Sequence, residues 1–198
     1  MQTDRMLLQE NWRIAHDPQD IGREEGWMQA LPDTAVAARV PGWVHLSLPD
    51  AFGIAWYQVR FQDSLREGGR RLLRFACATY LTQVYLNGQL VGEHRGCEDP
   101  FVFDVTEVIA RDNCLSVRVS KPYGDELVDG YRFGEIPHRN ERKDCGLTPG
   151  SCFNTFGIGG KVELLRVPDV YIEDLYVCGE GDEAVICATV ANCGPACQ

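Results

Sequence analysis

The sequence predicts an all-β fold class, an antiparallel β-sandwich, on three observations. Short apolar segments alternate with turn residues about every ten positions. An Asn-Gly pair, Asn87-Gly88, stands between two apolar runs, the preferred chemistry for a two-residue hairpin turn because both central residues need positive φ. No long segment carries the three-to-four-residue apolar spacing of an amphipathic helix.

The elements follow in order. Residues 9–17 read as a strand with Trp12 and Ile14 on one face, and residues 18–26 as a polar loop or one weak helical turn. Residues 35–40 form a second short strand, closed by Pro41-Gly42. Residues 43–50 read as a turn of helix ended by Pro49. Residues 54–62 are a firm strand in which Val59 and Phe61 continue an alternation begun at Trp56 or Tyr57. Residues 70–78 are another, with Leu73, Phe75 and Cys77 on one face. The hairpin around Asn87-Gly88 comes next. Phe101, Phe103 and Val105 then share one face, and Val102 and Asp104 the other. Residues 106–110 read as a helical turn with Thr106 as N-cap. Residues 113–120 point Leu115, Val117 and Val119 inward. Residues 161–167, 170–177 and 184–190 complete the strands.

Between them, residues 121–160 hold Pro, Gly, Asn and many charges without a sustained period. Forty irregular residues are unusual in a compact domain, and such loops carry function.

Composition narrows the function classes. The 198 residues suffice for one domain or one and a fraction. A formal net charge of −10 argues against nucleic acid or an anionic membrane as partner. No apolar run approaches the roughly 20 residues of a membrane span. The N-terminal stretch lacks the apolar core of a signal peptide. The expectation is a soluble, cytoplasmic protein. Nine cysteines without a C-x-x-C pair read mostly as free thiols in a reducing compartment, with Cys193 and Cys197 the pair most open to oxidation. No histidine has a second ligand at metal spacing, so neither metal nor cofactor is expected.

Five pieces in the right order resemble one family. They are Trp12-Arg13-Ile14 with Asp17, Gly22 and Glu24-Glu25-Gly26-Trp27; Val40-Pro41-Gly42-Trp43; Trp56-Tyr57 leading into Val59-Arg60-Phe61; Val84-Tyr85-Leu86-Asn87-Gly88 through Val91-Gly92, Pro100-Phe101 and Phe103-Asp104-Val105-Thr106; and Gly157-Ile158-Gly159-Gly160 with Val162-Glu163-Leu164. Together they resemble the N-terminal sugar-binding domain of glycoside hydrolase family two, the β-galactosidase, β-glucuronidase and β-mannosidase group, over about residues 10–178.

The resemblance implies a jelly-roll, galactose-binding-domain-like sandwich over residues 1–168. Over 169–198 it implies the first strands of an immunoglobulin-like sandwich, a fold that needs about 100 residues. It therefore implies a piece of a longer β-glycosidase. The family's catalytic (β/α)₈ barrel takes about 250 residues and cannot fit here. The implied partners are carbohydrate and that C-terminal barrel. No catalytic residue is assigned. Asn140-Glu141 looks like the family's acid/base dipeptide but sits in a charged loop without a preceding apolar strand. A retaining glycosidase needs two carboxyl groups about 5 Å apart.

In the family the segment before the closing strand lies toward the active-site mouth. Here it offers Asp125, Asp129, Tyr131, Arg132, His138, Arg139, Asn140, Asp144 and Asn154 as sugar-binding candidates. Planar polar groups and aromatic faces are what a sugar pocket uses; the competing reading is a solvated loop. Two departures bear on the substrate. Lys143–Gly150 stands where the β-mannosidase branch has a Trp- and Gly-rich motif, and Gly160 stands where a Trp usually closes the domain. His45 reads as structural or as lining a domain interface. Trp12, Trp27, Trp43 and Trp56 read as packing rather than sugar platforms. The rival functions are an autonomous carbohydrate-binding module and a structural spacer without sugar contact.

Overall fold

The computed structural model of the chain describes residues 4–97, 99–121, 127–128, 131–132, 156–181 and 183–194. Their strands are β1 (Asp4–Leu7), β2 (Arg13–His16), β3 (Val36–Ala37), β4 (Gly42–Trp43), β5 (Ile54–Gln62), β6 (Arg70–Phe75), β7 (Tyr80–Leu86), β8 (Gln89–Gly96), β9 (Phe101–Asp104), β10 (Asp112–Ser120), β11 (Leu127–Val128), β12 (Tyr131–Arg132), β13 (Gly157–Ile158), β14 (Val162–Val167), β15 (Val170–Glu180) and β16 (Glu183–Asn192).

Two sheets make the body, a small one in the order β1-β14-β6-β9 and a large one in the order β3-β2-β5-β10-β7-β8. Every pairing is antiparallel. The core fills the space between them. Ile14, Tyr57, Val59, Val84, Leu115, Val117 and Val119 come from the large sheet; Leu73, Phe75, Phe101, Val162 and Leu164 come from the small one. This is the expected sandwich, and the inward faces read from alternation are the inward faces found. Asn87 and Gly88 turn the β7–β8 hairpin at φ 53° and 82°, as the two-residue turn requires.

Part of the large sheet is buried on both faces. Its outer face is covered by residues 17–35, which place Trp27, Leu31 and Ala35 over Ala15, Ile54, Trp56 and Tyr85. Trp56 packs at a tilt of 31° against Tyr85 with ring centroids 5.5 Å apart and meets Trp27 edge-on at 6.5 Å. The layer is pinned by the wholly buried Asp17. Its carboxylate accepts from the backbone N–H of Ile21 and Gly22 and from Trp56 Nε1, each at 2.9 Å. Nearby, Asp20 accepts from Arg118 Nη2 at 2.8 Å, which lets a fully buried guanidinium sit mid-strand in β10.

Three local readings are corrected and a fourth is narrowed. The strand read as 70–78 stops at Phe75, and Cys77 is half-buried beyond it, because residues 76–79 carry the chain from one sheet to the other. Thr106 is not the cap of its turn. Asp104 takes that role and accepts from both the backbone N–H and the hydroxyl of Thr106. The first strand is β1, bonded to β14 at the opposite end of the sequence. Of the loop or weak helical turn read at residues 18–26, the turn is found, with Glu25 N–H donating to Ile21 O at 2.9 Å, and it belongs to the covering layer.

Asp17→Ala leaves three donors, two of them buried, without an acceptor and is expected to lower stability by about 3 kcal/mol. Asp17→Asn keeps one acceptor oxygen and falls between the two. Urea unfolding followed by tryptophan fluorescence measures both; an unchanged midpoint for Asp17→Ala would show that the outer layer is held by packing alone.

Candidate functional site

The sandwich has two ends. At one, β5 begins, β10 ends at Ser120, β7 begins and β14 begins. The chain leaves this end at Lys121 and re-enters it at Phe156; it is called the loop end here. At the other, the tail end, β14 finishes and β15 departs.

Departure and return at the loop end are both fixed by hydrogen bonds. Lys121 N–H donates to Gly53 O at 2.8 Å, and Val44 N–H donates to Phe156 O at 2.9 Å. Gly157 and Thr79 exchange two backbone bonds of 3.0 Å. β13 pairs with β4, which joins Gly157-Ile158 to Gly42-Trp43. Gly157 sits at φ 132°, where a side chain would be strained and would also collide with Tyr57 Oη. The Trp43 ring lies so close over Gly159 that an added Cβ would fall within it. These glycines therefore seat two aromatics against the point where the long segment returns.

Around this seat the rings differ in exposure. Trp43 is half-buried, His45 is exposed, and Tyr80 is buried. Phe52 meets His16 edge-on at 5.4 Å. Tyr57 donates to Gly42 O at 3.3 Å, and burial pushes its phenol above the ordinary tyrosine range, so it stays a donor. Further along, His94 stacks on Phe101 at 4.1 Å, and Phe101 on Phe75 at 4.9 Å. Burial lowers the pKa of His94 against the opposing pull of Asp99.

Of the sequence-predicted sugar contacts, Tyr131 and Arg132 form β12, whose backbone pairs with Leu127–Val128. Asp125, Asp129, His138, Arg139, Asn140, Asp144 and Asn154 lie outside the described residues, as do Asn140-Glu141 and the Lys143–Gly150 stretch. Trp12, Trp27 and Trp56 are buried as packing residues. The half-exposed Trp43 adds an aromatic face that the sequence reading set aside. Its only signal was the pairing of two glycine-bearing motifs more than a hundred residues apart, which local patterning does not reveal. Among the described residues no group of three or more His, Cys, Asp or Glu is placed to hold a metal ion. Among them, too, no helix is long and apolar enough to cross a membrane.

The sequence model for glycosyl hydrolases family 2, sugar binding domain, matches residues 44–168. The chain belongs to this family. Among curated relatives, a β-glucuronidase of Paenibacillus borealis is 28% identical over 88% of this chain and 31% of its own length. A β-galactosidase of Thermoanaerobacter pseudethanolicus is 35% identical over 44% of this chain and 13% of its own. Among solved structures, a β-glucuronidase from an uncultured Clostridium superposes with a TM-score of 0.71 at 25% identity, covering 95% of this chain and 34% of that one. The β-glucuronidase of Ruminococcus gnavus shares the fold at a TM-score of 0.71 and 20% identity. The family 2 domain described here thus spans about a third of the length of the β-glucuronidases it matches.

The lowered His94 pKa has a sign for stability. The unfolded histidine, near 6.5, binds its proton more readily than the folded one. Stability is therefore full above that value and declines as pH falls through it toward the folded pKa. Between about pH 7.5 and about pH 5.5 the urea midpoint of the wild type should fall more than that of His94→Phe, which keeps the stack on Phe101 without the charge. Equal falls in the two proteins would remove His94 as the titrating group.

Proposed function

We propose that this family 2 sugar-binding domain works within a longer β-glycosidase, contributing groups of residues 121–156 to a sugar pocket and taking no part in bond cleavage. The observation that carries this reading is the family match over residues 44–168, together with relatives about three times as long as this chain. The parent would hydrolyse a β-glycosidic bond in two displacement steps, with both carboxylates supplied by a C-terminal barrel. β-Glucuronides are the favoured substrate class, because the relatives matched over most of this chain are named β-glucuronidases.

On this reading the candidate sugar contacts are Asp125, Asp129, Tyr131, Arg132, His138, Arg139, Asn140, Asp144 and Asn154. They belong to a segment anchored at both ends beside the half-exposed ring of Trp43. Carboxylates and amides accept from and donate to hydroxyls, Arg donates in a planar fork, and Tyr and Trp cover C–H faces. The domain division proposed is 1–168 for the sandwich and 169–198 for the start of an immunoglobulin-like unit.

The β15–β16 hairpin supports that division. Its register shifts between Ile172 and Asp174, leaving Glu173 as an extra residue. Cross-strand partners share a face, so the shift brings Ile172 and Val190 onto the same side as Leu175, Ala188, Val177 and Ile186. That side is almost wholly apolar, yet Ile172, Leu175, Val177, Ile186 and Val190 are each more than half exposed. Such a face fits one half of a second sandwich whose other strands would cover it.

The test is calorimetric titration of the 198-residue chain with monosaccharides and β-linked disaccharides, beside an assay on chromogenic β-glycosides. Expected are no hydrolysis by the chain alone and sugar binding weaker than about 1 mM, roughly 4 kcal/mol. Binding tighter than that would favour an autonomous carbohydrate-binding module. Hydrolysis by the chain alone would overturn the reading.

A further inference from the structure

A groove of about 410 Å³ opens at the tail end of the large sheet, distant from the loop end discussed above. Its wall is built by cross-strand register. Gln62 of β5 faces Asp112 of β10, and Arg60 faces Cys114, so all four side chains stand on the sheet's outer face within two residue steps of one another.

The floor is rigid. Asn87 donates through Nδ2 to Val108 O and to Asn113 Oδ1, both at 3.0 Å, and its Oδ1 accepts from Cys114 N–H at 2.9 Å. Asn113 in turn bonds Ala110 through both ends of its amide. These two amides are committed to the fold.

The rim is not committed. Gln62 Nε2 donates to Asp112 Oδ1 at 2.7 Å, which leaves Gln62 Oε1 and Asp112 Oδ2 open as acceptors on exposed residues. Arg60 makes one long bond, 3.4 Å to Gln29 O, which leaves most of its five donors open. The groove rim therefore offers a planar donor fork and two planar acceptors, while the intervening Phe61 turns its ring to the inner core. One positive and one negative charge stand together, so the rim has no bias toward an ion of either sign. The complement of such a rim is a neutral ligand with adjacent hydroxyls, each able both to donate and to accept. The volume lies within the range of small-molecule sites.

We propose that this groove is a second carbohydrate subsite, taking a neutral sugar unit through adjacent hydroxyls on Arg60, Gln62 and Asp112. It is separate from the segment that follows Lys121 and does not depend on that segment's role.

Amide NMR of the chain titrated with lactose and with cellobiose tests this. Shifts are expected to cluster at residues 60–62 and 112–114. Arg60→Ala and Asp112→Asn should each weaken that response by about 10-fold with the urea midpoint unchanged, since both side chains are exposed. Shifts confined to the neighbourhood of Trp43 and Gly157–Gly160 would overturn the second subsite while leaving the loop-end reading standing. A tail-end cluster unaltered by both substitutions would overturn it as well. Should either variant fail to fold, the wild-type shift map decides by itself.

Discussion

The buried carboxylate of Asp17 is the constraint on which the outer half of this domain depends. A charge taken out of water is tolerable only when its hydrogen bonds are met. Three donors from two places meet this one: the consecutive backbone N–H groups of Ile21 and Gly22 and the indole of Trp56. Those bonds fix the path of residues 17–35, and that path turns part of the large sheet from a half-exposed surface into a middle layer. Trp27, Leu31 and Ala35 can then bury the outward residues of β2, β5 and β7. The Asp20–Arg118 pair follows from the same placement, because Arg118 needs an anion where the covering layer seals it in.

The inward face of the fold was legible because it is written in local alternation. Val59, Leu73, Phe75, Val84, Leu115, Val117 and Val119 each repeat at spacing two, and period two leaves one choice of face once one side is buried. The Asn87-Gly88 turn was legible for its own reason, that few other pairs accept two positive φ values. What local patterning did not show was contact between distant segments. β1 finds β14 across the whole chain, and in the polar-looking covering layer Asp17 and Asp20 turn onto specific partners beneath it. Nothing in residues 18–26 considered alone distinguishes that from a solvated loop.

The candidate site divides in the same way. Composition singled out residues 121–160, since so long a polar stretch amid short strands is unusual in a compact domain. Position came only from pairing. The union of β4 with β13 puts Trp43 at the point of return, and glycine at 157 and 159 is what lets the rings of Tyr57 and Trp43 approach the backbone. A sequence reading that weighed Trp43 by its neighbours in the chain saw an apolar strand end and called for packing.

The extra residue in β15 has a wider consequence. A strand encodes its two surfaces as alternate letters, and Glu173 shifts that reading frame by one. Upstream and downstream stretches that would have shown opposite surfaces are thereby spliced into a single oily strip. Length variation in this hairpin is thus not neutral in the way loop insertions are. Losing or gaining one residue there would exchange inside for outside along half the strand, so natural changes at this site are expected to come in twos.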